Sequence, residues 1–277
     1  MLAVLAALLL AALDPADHEP DRLPAEALAQ YQQALSRTKA GKEPEALSCL
    51  EAVLQADPDC YKAWFLKGDL LLRKGDSEGA LKAFREVVRV KPGSALGHCR
   101  LGMALGDLGK PKEAVEEIQK ALDLDPKSAE ARLALAKARL GMEMPLEALE
   151  ALKEAKGADS EDLTAATAAA KVQMGDEPKA REILEKAVKD HPKSALLWFD
   201  LGVVRERLNQ DEAAIQAWET AVKLDPRCLG AHKNLGILCH TRNEFKKAVE
   251  HYKAFFENGG KDEELKGIYD TLKGFAR

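Results

Sequence analysis

The sequence predicts an all-α chain built from about seven repeated helix pairs, and three periodic observations predict it. An alanine recurs at Ala46, Ala80, Ala114, Ala148, Ala180, Ala214 and Ala248, 34 residues apart except for one step of 32. Four residues beyond each stands a large apolar side chain: Leu50, Phe84, Ile118, Leu152, Leu184, Trp218 and Tyr252. Twelve residues before each alanine stands a small one: Ala34, Gly68, Gly102, Ala136, Ala168, Gly202 and Gly236. Small residues at two fixed sites let paired helices approach closely. Ala, Leu, Glu, Lys and Arg dominate the rest, a helix-rich composition.

The chain has 277 residues and divides by composition. Residues 1–13 form an apolar N-terminal segment, in which Leu2 to Leu13 run unbroken until Asp14-Pro15. A bilayer-spanning helix takes about 20 apolar residues, so this run is too short for one. It fits the apolar region of a signal peptide, but no Lys or Arg precedes it. Periplasmic or secreted localisation follows if it is a cleaved signal, a cytoplasmic one otherwise, and membrane association only if the segment is retained. Residues 14–26 read as a polar linker, residues 27–260 as seven repeats and residues 261–277 as a C-terminal capping helix.

The repeats are expected to start near Ala27, Tyr61, Ala95, Ala129, Glu161, Ala195 and Leu229. In the second, Trp64, Gly68 and Leu71 share one helical face. Gly75-Asp76-Ser77 then breaks the helix and restarts it, with Asp76 or Ser77 as N-cap. Ala80, Phe84 and Val87 form the apolar stripe of its second helix. Pro44, Pro111, Pro145 and Pro178 sit where second helices begin, where a missing N–H is harmless. Ser94, Ser128 and Ser194 precede first helices as caps. In the last segment Leu265, Ile268, Leu272 and Phe275 recur at helical spacing and are expected to cover the final repeat.

The strings Trp64-x-x-Lys67-Gly68, Cys99-Arg100-Leu101-Gly102, Trp198-x-x-Leu201-Gly202 and Asn234-Leu235-Gly236 resemble the W-x-x-L-G signature of the tetratricopeptide repeat family. Prolines at 58, 92, 126, 192 and 226 complete that pattern. The resemblance covers residues 27–260. It implies a right-handed superhelical solenoid whose concave face receives a peptide or helix of another protein. The fifth repeat departs from the pattern: its first helix is nearly all small, and Thr164 stands where Trp64 and Trp198 stand. A soft joint is expected over residues 157–175, because less apolar area is buried there.

At 100° per residue, the first helix of each repeat has a second face about 140° from its packing face. That face carries Tyr31, then Phe65, Asp69 and Leu72, then Cys99 and Met103, then Leu133 and Lys137. Further along it carries Phe199 and Val203, then Lys233 and Ile237. These residues are expected to line an open, mostly apolar groove and to bind a partner protein. Some tetratricopeptide proteins grip chaperone C-termini with Lys and Asn one turn apart; the matching sites here, such as Phe65 and Asp69, lack that pair.

No catalytic chemistry is legible. The sequence holds no phosphate-binding glycine loop, no G-x-S-x-G and no H-E-x-x-H, so no enzyme activity, cofactor or small-molecule substrate is expected. Cys228, His232, Cys239 and His240 are too spread along one helix to bind one metal ion. The five cysteines have no C-x-x-C spacing and read as small buried hydrophobes. A net charge of −5 without a dense basic run argues against nucleic acid. The reading is an interaction scaffold. Its alternative is a regulatory or docking subunit of an envelope-assembly or secretion complex.

Overall fold

The computed structural model describes residues 23–158 and 160–275, so the run Leu2–Leu13 and most of the linker lie outside the described residues. Among the described residues all regular structure is helical. The helices are α1 (Ala25–Lys39), α2 (Glu43–Ala56), α3 (Tyr61–Arg73), α4 (Ser77–Val90), α5 (Ala95–Asp107), α6 (Pro111–Leu124) and α7 (Ala129–Leu140). They continue as α8 (Pro145–Glu154), α9 (Ser160–Gln173), α10 (Glu177–Asp190), α11 (Ala195–Arg207), α12 (Asp211–Leu224), α13 (Leu229–Thr241), α14 (Phe245–Glu257) and α15 (Glu263–Phe275). The chain folds as two compact units, one ending at Met144 and the other beginning at Pro145. The first holds α1–α7 and the second α8–α15.

Local chemistry sets the helix ends. Asp76 caps α4 by accepting from Gly79 N–H at 2.9 Å. Ser94, Ser128 and Ser194 accept from Gly97, Ala131 and Leu197 N–H at 3.0, 3.2 and 3.4 Å. The turn inside a pair needs one residue in the left-handed region. Gly75 supplies it without strain at φ 79°, and Asn209 adopts it at φ 56°.

Five of the first helices are also tied to the loop before them. Trp64 Nε1 donates to the Pro58 carbonyl at 2.7 Å and Trp198 Nε1 to that of Pro192 at 3.1 Å. Arg132 Nη2 donates to Pro126 O at 2.8 Å. His98 and His232 present Nε2 to Pro92 O and Pro226 O at 2.9 and 3.1 Å. At these five positions a side-chain ring or guanidinium nitrogen, rather than tryptophan as such, makes the contact, whereas Thr164 at the same position of the fifth repeat bonds within its own helix.

Packing follows the periodic pattern. In the first unit Ala34, Ala46, Leu50, Val53, Ala63, Leu66 and Leu70 form one buried cluster. In the second, Leu184, Leu197 and Leu201 belong to one cluster, and Ala214, Trp218, Ala221 and Leu235 to another. Tyr252, Phe255, Leu265 and Leu272 form the last, so α15 covers the apolar side of α14. Each fully buried large side chain contributes roughly 1.5–3 kcal/mol. One helix pair holds too few of them to fold alone, and neighbours supply the rest.

Candidate functional site

First helices pack against first helices of neighbouring repeats: α5 against α7 in the first unit and α9 against α11 in the second. That contact decides which residues of the expected binding face stay open. In the first unit it closes most of them. Tyr31, Phe65, Asp69, Cys99 and Leu133 are buried, contrary to the expectation of an open groove. Phe65 is 4% exposed and meets Phe84 edge-on, with ring centroids 5.7 Å apart. Burial pushes the Cys99 thiol up to about 12 and raises the Tyr31 phenol as well. Leu72 and Met103 are half-buried, and Lys137 is exposed.

A charged chain crosses this face of the first unit. Asp69 Oδ1 on α3 lies 3.1 Å from Arg100 Nε on α5, and the Arg100 guanidinium also pairs with Glu130 on α7. Asp69 is 8% exposed, and its Oδ2 has no hydrogen-bond partner among the described residues. Burial therefore pushes its carboxyl up to about 6, against the pull of Arg100 and Arg73. Taking two ions from water costs several kcal/mol, which attraction offsets only with good geometry. The chain fastens three consecutive first helices to one another and leaves little there for a partner to grip.

The same face is open in the second unit. Leu196 is 42% exposed and Ile237 40% exposed. Phe199 and Val203 are half-buried between them in the repeat order, and Ala169 on α9 is exposed. The Phe199 ring lies over Gly230 of α13, where a methyl group would stand 2.6 Å from it. Glycine thus lets the ring bridge α11 and α13 as a flat apolar ledge. Lys233 is half-buried, with Nζ 2.7 Å from Asp262 Oδ2, which pulls the Asp262 carboxyl below its ordinary range. An apolar strip with one ion pair at its edge suits a helix or extended segment carrying apolar side chains.

Sequence reasoning named the face but missed the Asp69–Arg100–Glu130 chain. Its signal was an acid, a base and an acid at steps of 31 and 30 residues, close to the repeat length. The cysteines and histidines of α13 do not come together: His232 turns to Pro226 O and to His251, and Cys239 is buried. Among the described residues, no three His, Cys, Asp or Glu side chains are grouped to hold a metal ion.

Known proteins bear on this geometry. A solved tetratricopeptide repeat protein from Parabacteroides merdae, 13% identical, superposes over 90% of this chain and 100% of its own with a TM-score of 0.70, a likeness of fold. A peroxisomal targeting signal receptor of Candida albicans is 33% identical over 73 residues, 26% of this chain and 12% of the receptor. Human Superkiller complex protein 3 is 35% identical over 77 residues, 28% of this chain and 5% of that protein. This chain thus matches only a small part of each relative's length. A family model described as tetratricopeptide repeat matches residues 31–95, 166–219 and 212–263, and a second so described matches 95–128. Those matches cover more than half of the chain, and it belongs to the tetratricopeptide repeat family.

Proposed function

We propose that the protein is an interaction scaffold that holds an apolar or amphipathic segment of a partner protein on the first-helix face of its second unit. The observation that carries this reading is the exposure of Leu196 and Ile237 beside the Phe199 ledge. Aliphatic side chains repeated on the same face of successive helices mark an interaction surface. A partial relative is, by name, a receptor for a targeting signal, which supports recognition of a protein segment. The scaffold holds its partner and makes no product. The first unit contributes stiffness through Asp69, Arg100 and Glu130 rather than an open apolar groove.

The test is co-purification from the source cells with Leu196→Asp plus Ile237→Asp. Both sites are exposed, so helical content stays unchanged. The partner bound by the wild type is expected to weaken at least about tenfold, or 1.4 kcal/mol. Leu146→Asp, at a leucine 63% exposed on a second helix, is the control and keeps the partner. Equal recovery by the double variant and the wild type would refute the reading. Phe65→Asp is unsuitable, because it places a charge in the core.

A further inference from the structure

His232 on α13 and His251 on α14 bring their Nδ1 atoms within 3.3 Å of each other. The rings are tilted by 45° with centroids 5.5 Å apart. Two imidazole nitrogens bound to one tetrahedral zinc ion at about 2.0–2.1 Å each stand about 3.4 Å apart. The contact is an N–H···N hydrogen bond between the rings, and its length is also that of a metal-bound pair.

The tautomer is set as well. Nε2 of His232 lies 3.1 Å from the Pro226 carbonyl, which can only accept, so that nitrogen carries the proton. Its Nδ1 therefore presents a lone pair toward His251. A metal-binding histidine is commonly oriented by a carbonyl on its far nitrogen, as here. Glu250 and Glu219 add negative potential at His251, opposed in part by Lys247. His251 is only half-buried, so an ion has a way in.

The same two positions in other repeats show what is particular here. Where the first is Trp64 or Trp198, the residue nineteen positions on is Ala83 or Ala217. Where it is His98, that residue is Glu117, and the carboxylate satisfies the ring at 2.7 Å. A histidine facing a histidine has no carboxylate to close the pair.

We propose that His232 and His251 form a two-imidazole site for a divalent transition metal of the zinc class, with water in the remaining positions. On binding, His251 carries its proton on Nε2 instead of Nδ1, both Nδ1 lone pairs go to the metal, and the rings turn so that both lone pairs meet it about 35° off the line between them. An open site of this kind, with two protein ligands, leaves coordination positions for an outside donor.

The experiment titrates the full chain at neutral pH with zinc chloride by calorimetry, and with cobalt(II) by absorption. The expected result is one ion per chain, a cobalt spectrum without thiolate charge transfer, and a rise in Tm with zinc. His251→Ala is expected to weaken binding at least tenfold and to cancel the Tm rise. Its fold is safe, because Ala83 and Ala217 occupy the same position in other repeats. His232→Trp with His251→Ala rebuilds the Trp198–Ala217 pair and is expected to bind no ion there. Absence of saturable binding, or binding that survives in either variant, overturns the proposal.

Discussion

Gly202 lies where a methyl group would stand 2.3 Å from Trp218 Nε1 and 2.4 Å from its Cδ1. Gly68 meets Phe84, Gly102 meets Ile118 and Gly236 meets Tyr252 at 2.4 to 2.7 Å in the same way. Each large ring or branch lies flat on a helix backbone, and the glycine makes that approach possible. Trp218 is held there twice over, since its Nε1 also donates to the Phe199 carbonyl at 3.2 Å. Gly202→Ala must push the indole aside, strain its rotamer and lengthen that bond. It is expected to destabilise the protein by about 1–3 kcal/mol. Gly267→Ala on α15, where nothing lies within 4 Å of the added carbon, is expected to gain about 0.5–1 kcal/mol from better helix propensity. Urea unfolding of the two variants beside the wild type checks the pair. Equal midpoints for both variants would show that the close approach is not what holds the indole.

Elements differ in how well they are tied. Five first helices begin at the residues that the repeat spacing marks, Tyr61, Ala95, Ala129, Ala195 and Leu229, while α1 begins at Ala25 rather than Ala27 and α9 at Ser160 rather than Glu161. Serine caps fix the starts at Ala95, Ala129 and Ala195 locally, whereas those at Tyr61 and Leu229 follow a cysteine whose side chain does not cap. The open face was less legible, because whether Phe65 is covered depends on a helix about 34 residues further on. Phase along one helix tells Phe65 and Phe199 apart no better than it tells Leu133 from Val203. The unlike element was legible: α9 buries only Ala166, Ala168 and Ala170, whereas α11 buries Leu197, Leu201 and Val204. Thr164 and Thr167 spend their hydroxyls on the carbonyls of Ser160 and Leu163, at 2.7 and 2.8 Å, within their own helix. Such back-bonding slightly weakens a helix. Alanine favours helix formation, so α9 forms readily but is anchored by little apolar area. Amides of α9 are expected to exchange at least about tenfold faster than those of α11, a difference of about 1.4 kcal/mol in local opening. Equal protection in the two helices would remove the soft-joint reading.

For the whole molecule the same shortage sets the order of unfolding. A solenoid's stability is close to a sum over repeats and the contacts between nearest neighbours. A poorly filled neighbour contact divides that sum into blocks that unfold separately. The second unit begins with α8, which buries Ala148, Ala151 and Leu152, and then α9, which buries only alanines. The first unit has no helix so poor: α3 alone buries Tyr61, Phe65, Leu66, Leu70 and Leu71. It also carries the Asp69–Arg100–Glu130 chain across three helices. The second unit is therefore expected to unfold at lower urea than the first. The tryptophans make this visible, since Trp64 lies in the first unit and Trp198 and Trp218 in the second. Trp64→Phe loses one hydrogen bond, about 0.5–1.5 kcal/mol, and leaves fluorescence reporting the second unit alone. In that variant the fluorescence midpoint is expected to fall below the midpoint of helical circular dichroism, which averages both units. Superimposable curves would mean that the two units unfold as one cooperative block despite the alanine-rich α9 in the second.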